Sequence, residues 1–200
     1  MGRPTTIKDE QILEAARSVF LEEGFGAATS KVARRAGVSE GTIFKRFQTK
    51  EELFSAALEV ELPPAWHKLV APDLVVGDIR THLESILLAL LSFHIDVMPR
   101  LIMSLGTPHP GDPKGPLREM PQQDQALLTH WLNQQVAQAK LHCTNIPALT
   151  STILGVTMFH AFQAMLEGQQ LSVEWRQAKA HSALELLWEG IAPARPPAPD

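Results

Sequence analysis

Positive charge is concentrated in one short stretch of the chain, residues 29–50. This stretch holds six basic residues and one acid, and therefore a formal charge of +5, whereas the whole chain of 200 residues carries −4. The basic residues are Lys31, Arg34, Arg35, Lys45, Arg46 and Lys50. Lysine and arginine side chains at this density can neutralise nucleic-acid phosphates. The alternative is a solvated helical hairpin whose charges only keep it soluble, and the apolar spacing described next favours phosphate binding.

The spacing of apolar and turn-forming residues in this stretch predicts two short helices joined by a tight turn. Thr29 and Ser39 are the expected N-caps, because their hydroxyl oxygens can accept a free backbone N–H. Gly37 lies between the helices, where a glycine adopts the left-handed conformation at little cost. Ile43 and Phe47 are expected one turn apart on the buried face of the second helix. This is the helix-turn-helix arrangement, whose second helix enters the major groove of DNA.

One further helix is predicted on each side of this motif. Apolar residues recur at helical spacing over residues 12–20, which predicts an amphipathic helix before it. Thr49–Glu52 forms a capping box for a helix after it. Pro63 is expected to end or kink that helix, since proline removes a helical hydrogen bond. The sequence thus predicts a helix-turn-helix DNA-binding domain over residues 1–60.

The rest of the chain is also predicted to be helical, so the expected fold class is all-α. Pro99 is expected to interrupt a long helix, and the five prolines and three glycines of residues 106–121 predict a loop. The predicted helices cover residues 78–95, 97–105, 122–141, 147–167 and 172–189. We therefore expect a helical domain over residues 61–192 and a disordered tail at 193–200.

Composition argues against a secreted or membrane-spanning protein. Cys143 is the single cysteine in the sequence and excludes an internal disulfide framework. The segment Arg3–Gln11 is polar, so no secretory signal is expected. The most apolar run, Ile86–Ile95, is too short to cross a bilayer. A cytoplasmic protein with no membrane partner is the expectation.

The sequence holds no pattern typical of an enzyme or a metal protein. There is no HExxH arrangement, no glycine-rich phosphate loop and no nucleophile elbow, and His142 and Cys143 stand without a second cysteine. We predict no catalytic residue, no metal site and no cofactor. The rival hypothesis is a helical protein that binds or converts a small molecule and whose helix-turn-helix is vestigial or contacts another protein.

The N-terminal residues resemble the DNA-binding domain of tetracycline-repressor-type (TetR) transcription regulators. The resemblance rests on four segments: Ile12–Ala16 with Phe20, Gly24 and Phe25; Thr29–Val38; Gly41–Phe47; and Lys50–Leu53. It covers about the first 55 residues. Beyond residue 62 the likeness is in layout only, an all-helical domain for ligand binding and dimerisation.

The resemblance also implies roles for individual residues. Those implied to hold DNA phosphates are Thr29, Thr42, Arg46 and Lys50. Those implied to face base edges are Ser30, Glu40, Gly41 and Lys45. Position 44 departs from the family's usual tyrosine, and Phe44 can act by packing or by contact with a thymine methyl group. The expected partner is double-stranded DNA at a palindromic site, and we predict that a homodimer which pairs helices 147–167 and 172–189 binds it.

The second domain is rich in methionine and aromatic residues, which adaptable apolar pockets use. Core filling is the alternative for most of these side chains. The predicted ligand-lining residues are Phe93, Met103, Trp131 and Phe159, with His94 and His160 as polar anchors. The expected effector is a small apolar or aromatic molecule that releases a repressor from its operator, and the 106–121 loop is a candidate gate.

Overall fold

The structure, a computed structural model, describes residues 9–60, 63–71, 75, 77–106, 116–167 and 172–191. All regular secondary structure within these ranges is helical, which confirms the predicted all-α class. The helices are α1 (Asp9–Glu23), α2 (Thr29–Ala36), α3 (Glu40–Phe44), α4 (Lys50–Leu58), a 3-10 helix (Ala65–Val70), α5 (Ile79–Gly106), α6 (Pro116–Ala137), α7 (Ile146–Glu167) and α8 (Val173–Ile191).

The chain forms two compact units. The N-terminal unit comprises residues 1–60 and 99–113, and the C-terminal unit comprises 61–98 and 114–200. Residues 99–113, which the sequence assigns to the second domain, thus group with the first. The proposed tail, 193–200, lies outside the described residues.

The N-terminal unit has its own apolar core, built from the inner faces of α1 to α4. Its fully buried large side chains are Ile12, Phe20, Val32, Ile43, Leu53 and Phe54. Phe54 makes edge-on ring contacts with Phe20 and Phe25, at centroid distances of 5.1 and 4.9 Å. Burial of each such side chain contributes about 1.5–3 kcal/mol. This core gives the short helices a fixed relative orientation that their own length could not provide.

Pro99 does not interrupt its helix, contrary to the sequence-based expectation. Helix α5 continues through it to Gly106, so the segments predicted at 78–95 and 97–105 are one helix. Residues on both sides of the proline are buried, including Val97, Met98 and Arg100. The Arg100 guanidinium also donates a hydrogen bond of 3.0 Å to the Glu59 carbonyl oxygen. Tertiary contacts therefore compensate for the hydrogen bond that proline removes.

The predicted loop at 106–121 is also shorter than expected. Helix α6 begins at Pro116 and includes Pro121, so residues 116–121 are helical, while 107–115 lie outside the described residues. Proline is compatible with the first turn of a helix, where its missing N–H would have had no partner. The same helix ends at Ala137 rather than near residue 141.

The C-terminal unit buries a second core among the 3-10 helix and helices α5 to α8. Its fully or almost fully buried side chains include Trp66, Leu83, Leu87, Trp131, Ile153 and Leu184. Asp78, Asn145 and Ser172 accept hydrogen bonds from the first backbone N–H groups of α5, α7 and α8. These caps fix where the three helices begin.

Two helices are long and apolar enough to cross a membrane by length and composition, 79–103 and 146–167. The apolar segment is thus longer than the run Ile86–Ile95 taken from the sequence. Both helices contribute residues to the buried core, among them Leu87, Leu90 and Ile153. Core helices of globular proteins meet the same criterion, so it does not by itself indicate a membrane span.

Candidate nucleic-acid interface

The turn between α2 and α3 has the geometry that its sequence predicts. Gly37 adopts a left-handed conformation (φ 70°, ψ 30°) and ends α2. The Val38 N–H donates to the Ala33 carbonyl oxygen at 2.9 Å. Ser39 then caps α3, since its side-chain oxygen accepts the Thr42 N–H at 3.1 Å. These bonds fix the direction in which α3 leaves the turn.

Helix α3 is buried on one face and exposed on the other. Ile43 is fully buried and Phe47, just beyond the helix, is 9% exposed. The exposed residues of this segment are Glu40, Gly41, Phe44, Lys45 and Arg46. Phe44 is 40% exposed, an unusual state for a phenylalanine in a well-packed unit. The arrangement presents polar and basic side chains on a rigid support, as a DNA-reading helix requires.

Thr29 does not cap α2, contrary to the sequence-based expectation. The N-cap is Ala28, which makes no side-chain capping bond. The Thr29 hydroxyl instead donates a hydrogen bond of 2.7 Å to Glu40 Oε1. Helix α2 begins one residue earlier than predicted, so Thr29 is inside the helix and its side chain is available to link α2 to α3.

Several of the basic side chains pair with carboxylates of α1. Lys31 Nζ lies 2.5 Å from Glu23 Oε2, and Arg46 pairs with Asp9. Arg35 donates two hydrogen bonds to Glu22, and these lower the pKa of that carboxyl below its usual range. All these pairs are solvent-exposed, where ion pairs are weak and readily exchanged. These lysine and arginine side chains can therefore leave their carboxylate partners and bind phosphates with only a small loss of free energy.

Other basic residues of the cluster are not paired with acids. Arg34 and Lys45 are exposed and have no ion-pair partner within the residues that the structure describes. Lys50 Nζ lies 4.9 Å from the centroid of the Phe25 ring, an arrangement that is favourable for a cation. Their charge is available for a polyanionic partner.

Gly41 has no steric reason within the protein to be glycine. A Cβ atom built at this position meets only the Ser39 hydroxyl oxygen, at an ordinary distance of 3.8 Å. Its φ angle is not in the left-handed region. Glycine in a helix costs stability relative to alanine. A glycine at position 41 is explained if another molecule must approach the backbone closely here. The sequence resemblance implies such a contact, with the base edges of DNA.

Among the predicted ligand-lining residues, Phe93, His94 and Trp131 lie in or against the core of the C-terminal unit. His94 is 7% exposed, its Nδ1 lies 3.0 Å from the Thr157 hydroxyl, and burial lowers its pKa to about 4. It is therefore neutral at pH 7. Trp131 is fully buried, with its ring 5.6 Å from that of His82.

The other three predicted lining residues are placed elsewhere. Met103 packs against the core of the N-terminal unit. Phe159 is 61% exposed on α7. His160 is half-buried beside Trp175, and desolvation is the main cause of its lowered pKa. Phe93, His94 and Trp131 thus lie in or against one core, Met103 packs in the other unit, and the set of six lining residues stays a prediction.

The structure also places together polar residues that the sequence did not single out. His67 Nε2 lies 2.8 Å from Oδ1 of Asp124, a carboxyl group that is almost fully buried and whose pKa is raised by burial. On the same helix, Trp131 Nε1 and Gln135 Oε1 are buried without a hydrogen-bond partner among the described residues. Only the spacing of these residues could have indicated from the sequence that they lie together, because residues 124, 128, 131 and 135 share one face of α6.

Comparison with known proteins agrees with this geometry. Residues 12–57 match the family model described as "Bacterial regulatory proteins, tetR family". The chain is 42% identical over 57 residues to the uncharacterized HTH-type transcriptional regulator YvkB of Bacillus subtilis, and 37% identical over 108 residues to YdeS of the same species. These matches cover 28% and 50% of this chain, and 29% and 52% of the relatives. The chain thus spans about a third to a half of the curated relatives it matches.

Solved structures extend the likeness to almost the whole chain. A TetR-like transcriptional regulator from Rhodococcus sp. RHA1 superposes with a TM-score of 0.63 at 19% identity, over 94% of this chain and 100% of that one. FadR from Bacillus subtilis, in complex with stearoyl-CoA, gives a TM-score of 0.61 at 20% identity, over 92% and 99%. At these identities the superpositions show a shared fold.

A helix-turn-helix unit with an exposed α3, followed by a helical unit, defines the architecture of a bacterial helix-turn-helix regulator. The matched N-terminal residues and the shared fold make the assignment specific. Residues 12–57 therefore carry the N-terminal DNA-binding domain of the TetR family.

Proposed function

We propose that this protein is a sequence-specific DNA-binding repressor that acts as a homodimer and is released from a palindromic operator by a small apolar ligand. The observation that carries the proposal is α3 itself. Its buried face is anchored by Ile43, its outer face is basic, and its backbone is accessible at Gly41. A helix of this form fits the major groove of DNA.

The residues of this surface divide into two roles. Thr42 and Lys50, which are half-buried, and the exposed Arg46 hold phosphates, which sets the position of α3 on the duplex. Lys45 and Ser30 are exposed and reach base edges, with Glu40 beside them. Phe44 supplies an apolar contact of the kind that recognises a thymine methyl group.

A homodimer is supported by an exposed apolar stripe on α7 and α8. Its large members are Met158, Phe159, Phe162, Leu166 and Leu186. Leu186 is 86% exposed and Leu166 is 68% exposed. Exposed apolar surface of this extent is typical of an interface.

The small residues of the two helices also support pairing. Ser151 and Gly155 on α7, and Ala178 and Ser182 on α8, are exposed and allow helices to approach closely. A Cβ atom at Gly155 would meet nothing within 4 Å. Two-fold pairing gives two α3 helices, and a dimer of this kind reads two half-sites of a palindrome.

The ligand of the C-terminal unit is proposed to be largely apolar, with one or two polar groups. The core between α5, α6 and α7 is apolar, and its buried polar groups include the neutral His94 and Trp131 Nε1, for which the described part of the chain offers no hydrogen-bond partner. Polar groups of this kind orient a ligand in an apolar site. The similar structure of FadR in complex with stearoyl-CoA, and a regulator described as acting in fatty acid metabolism, support an acyl-type ligand as the first to test.

Release from DNA is proposed to follow from a change in the spacing of the two α3 helices. Both must occupy successive major grooves at once, so a small change in spacing removes bivalent binding. A net coupling of about 1.4 kcal/mol changes DNA affinity tenfold. Helix α5 contributes residues to both units and is the candidate route, and its Arg100 donates a hydrogen bond to the carbonyl of Glu59, the residue that follows α4.

Two lysine substitutions test the proposed DNA contacts. Lys50→Ala should weaken binding to all duplexes about equally and lower the salt dependence by about one phosphate contact. Lys45→Ala should change base preference, at a cost of about 1–3 kcal/mol if it contacts guanine. Lys140→Ala, an exposed lysine of the C-terminal unit, is the matched control. Fluorescence anisotropy with labelled duplexes measures all three.

The two outcomes of this experiment separate the proposal from its rival. A cytoplasmic regulator that contacts DNA through α3 requires the two variants to differ in the way described. A protein whose helix-turn-helix is vestigial or contacts another protein would bind duplex DNA no better than its Lys45→Ala and Lys50→Ala variants.

A further inference from the structure

The hydrogen bond between Thr29 and Glu40 has a consequence for base recognition. Thr29 lies at the start of α2 and Glu40 at the start of α3, and the Thr29 hydroxyl donates to Glu40 Oε1 at 2.7 Å. A hydroxyl group has one proton to donate. While this bond is present, the Thr29 side chain cannot also donate to a DNA phosphate.

We propose that Thr29 is a positioning residue that holds the Glu40 carboxylate as a reader of cytosine. The inference rests on the proposed function, because it concerns the specificity of the same DNA-binding surface. It replaces the phosphate contact that the family resemblance implies for the Thr29 hydroxyl. A phosphate contact from this position is then made by the backbone N–H at the first turn of α2, where helical N–H groups have no partner in their own helix.

The charge pattern gives an independent reason for a specific role of Glu40. It is the single acid among residues 29–50, in a stretch that otherwise carries six cations. A carboxylate close to DNA phosphates opposes binding by charge repulsion. Its position on the outer face of α3 is therefore unfavourable for non-specific affinity, and a base-specific contact explains why it is there.

The chemistry of the carboxylate selects one base. A carboxylate only accepts hydrogen bonds, and in the major groove cytosine offers the N4 amino group as a donor. Guanine offers two acceptors and thymine offers the O4 acceptor, so both repel the carboxylate. Adenine offers its N6 donor next to the N7 acceptor, which makes it a poorer partner than cytosine.

The neighbouring residues fit a close approach of the base. Gly41 follows Glu40 and leaves the backbone uncovered, with space for a Cβ atom on the protein side. With Oε1 held by Thr29, the second carboxylate oxygen of Glu40 has no partner among the described residues. One oxygen is therefore fixed and the other is available to the cytosine amino group. A flexible glutamate is converted into an oriented acceptor.

The test compares four proteins by selection of bound duplexes from a random pool, followed by affinity measurements at several salt concentrations. They are the unmodified chain, Glu40→Gln, Thr29→Val and Thr29→Ser. The unmodified chain should prefer cytosine at one position of each half-site by about tenfold or more. Glu40→Gln keeps an oxygen for the Thr29 hydroxyl but presents an N–H donor to the base where the second carboxylate oxygen stood, so the preference should shift from cytosine to a purine, which offers acceptors at this edge.

The threonine variants separate positioning from phosphate binding. Thr29→Val removes the hydroxyl group at nearly constant shape, and it should reduce the cytosine preference to about threefold or less without changing the salt dependence. Thr29→Ser restores the hydroxyl and should restore the preference. A different pattern would overturn the inference: Thr29→Val weakens binding to all sequences, lowers the salt dependence by about one phosphate contact and leaves the cytosine preference intact.

The failure of this inference is distinguishable from failure of the proposed function. If the unmodified chain selects specific duplexes but Glu40→Gln selects the same ones, Glu40 does not read a base and the inference is wrong. If the unmodified chain enriches no duplex, the proposed function fails and the inference fails with it.

Discussion

Substituting alanine for Gly41 is expected to stabilise the folded protein and to weaken its binding to DNA. The added methyl group meets only the Ser39 hydroxyl oxygen within the protein, at 3.8 Å, which is an ordinary contact distance. On the proposed DNA-binding surface the same methyl group stands between α3 and the base edges. The two effects have opposite signs, which few substitutions produce by accident.

The magnitudes follow from the two environments. Glycine in a helix costs about 0.5–1 kcal/mol relative to alanine, so the free energy of unfolding should rise by up to that amount. A methyl group forced into a closely packed contact costs about 1–3 kcal/mol. Because 1.4 kcal/mol corresponds to a tenfold change, DNA affinity should fall roughly 5- to 150-fold.

Chemical denaturation measures the first effect, and fluorescence anisotropy with a selected duplex measures the second. Gly190→Ala is the matched control, because a Cβ atom at this glycine of α8 meets nothing within 4 Å and so, like the one at Gly41, causes no clash within the protein. The control should gain similar stability and retain full DNA affinity. If Gly41→Ala bound DNA as well as the unmodified chain, the close approach of DNA to α3 would be refuted.

Three further predictions concern other parts of the molecule. Asp9→Asn removes the carboxylate partner of Arg46 and should raise DNA affinity by about two- to fivefold, measured by anisotropy at low salt. Leu186→Glu should convert a dimer into a folded monomer in analytical ultracentrifugation, whereas Gln125→Glu, at an exposed position of α6, should not. His94 has a folded-state pKa of about 4 against 6.5 when exposed, so below pH 6.5 the unfolded chain binds a proton that the folded chain does not. The free energy of unfolding should therefore fall between pH 6.5 and 4, by up to about 3 kcal/mol, and His94→Asn should flatten that dependence in denaturation curves; an unchanged slope would contradict it.

The sequence was sufficient to predict the DNA-binding elements because their signals are local. Gly37 must adopt a left-handed conformation wherever α2 turns into α3, and Ser39 caps the next helix through its own neighbours. The capping box at Thr49 is present as well, although the Glu52 side chain accepts the Gln48 N–H rather than that of Thr49. Bonds between residues a few positions apart can be anticipated from spacing.

The features that were missed depend on distant contacts. Helix α5 continues through Pro99 because the flanking residues are buried and because Arg100 donates a hydrogen bond to the Glu59 carbonyl oxygen. The Thr29 hydroxyl donates to Glu40 of the next helix instead of capping α2. Nothing in the spacing of residues along α2 indicates this bond between two helices. The grouping of Met103 with the N-terminal unit is likewise a tertiary effect. Propensity and periodicity describe single elements, while these outcomes are set by packing between elements.

Selection of bound DNA from a pool of random duplexes tests the central claim most directly. The purified chain should enrich a palindromic sequence whose two half-sites lie about one or two helical turns apart, as two α3 helices of a symmetric dimer require. Enrichment of no sequence, or of one that lacks two-fold symmetry, would contradict the account.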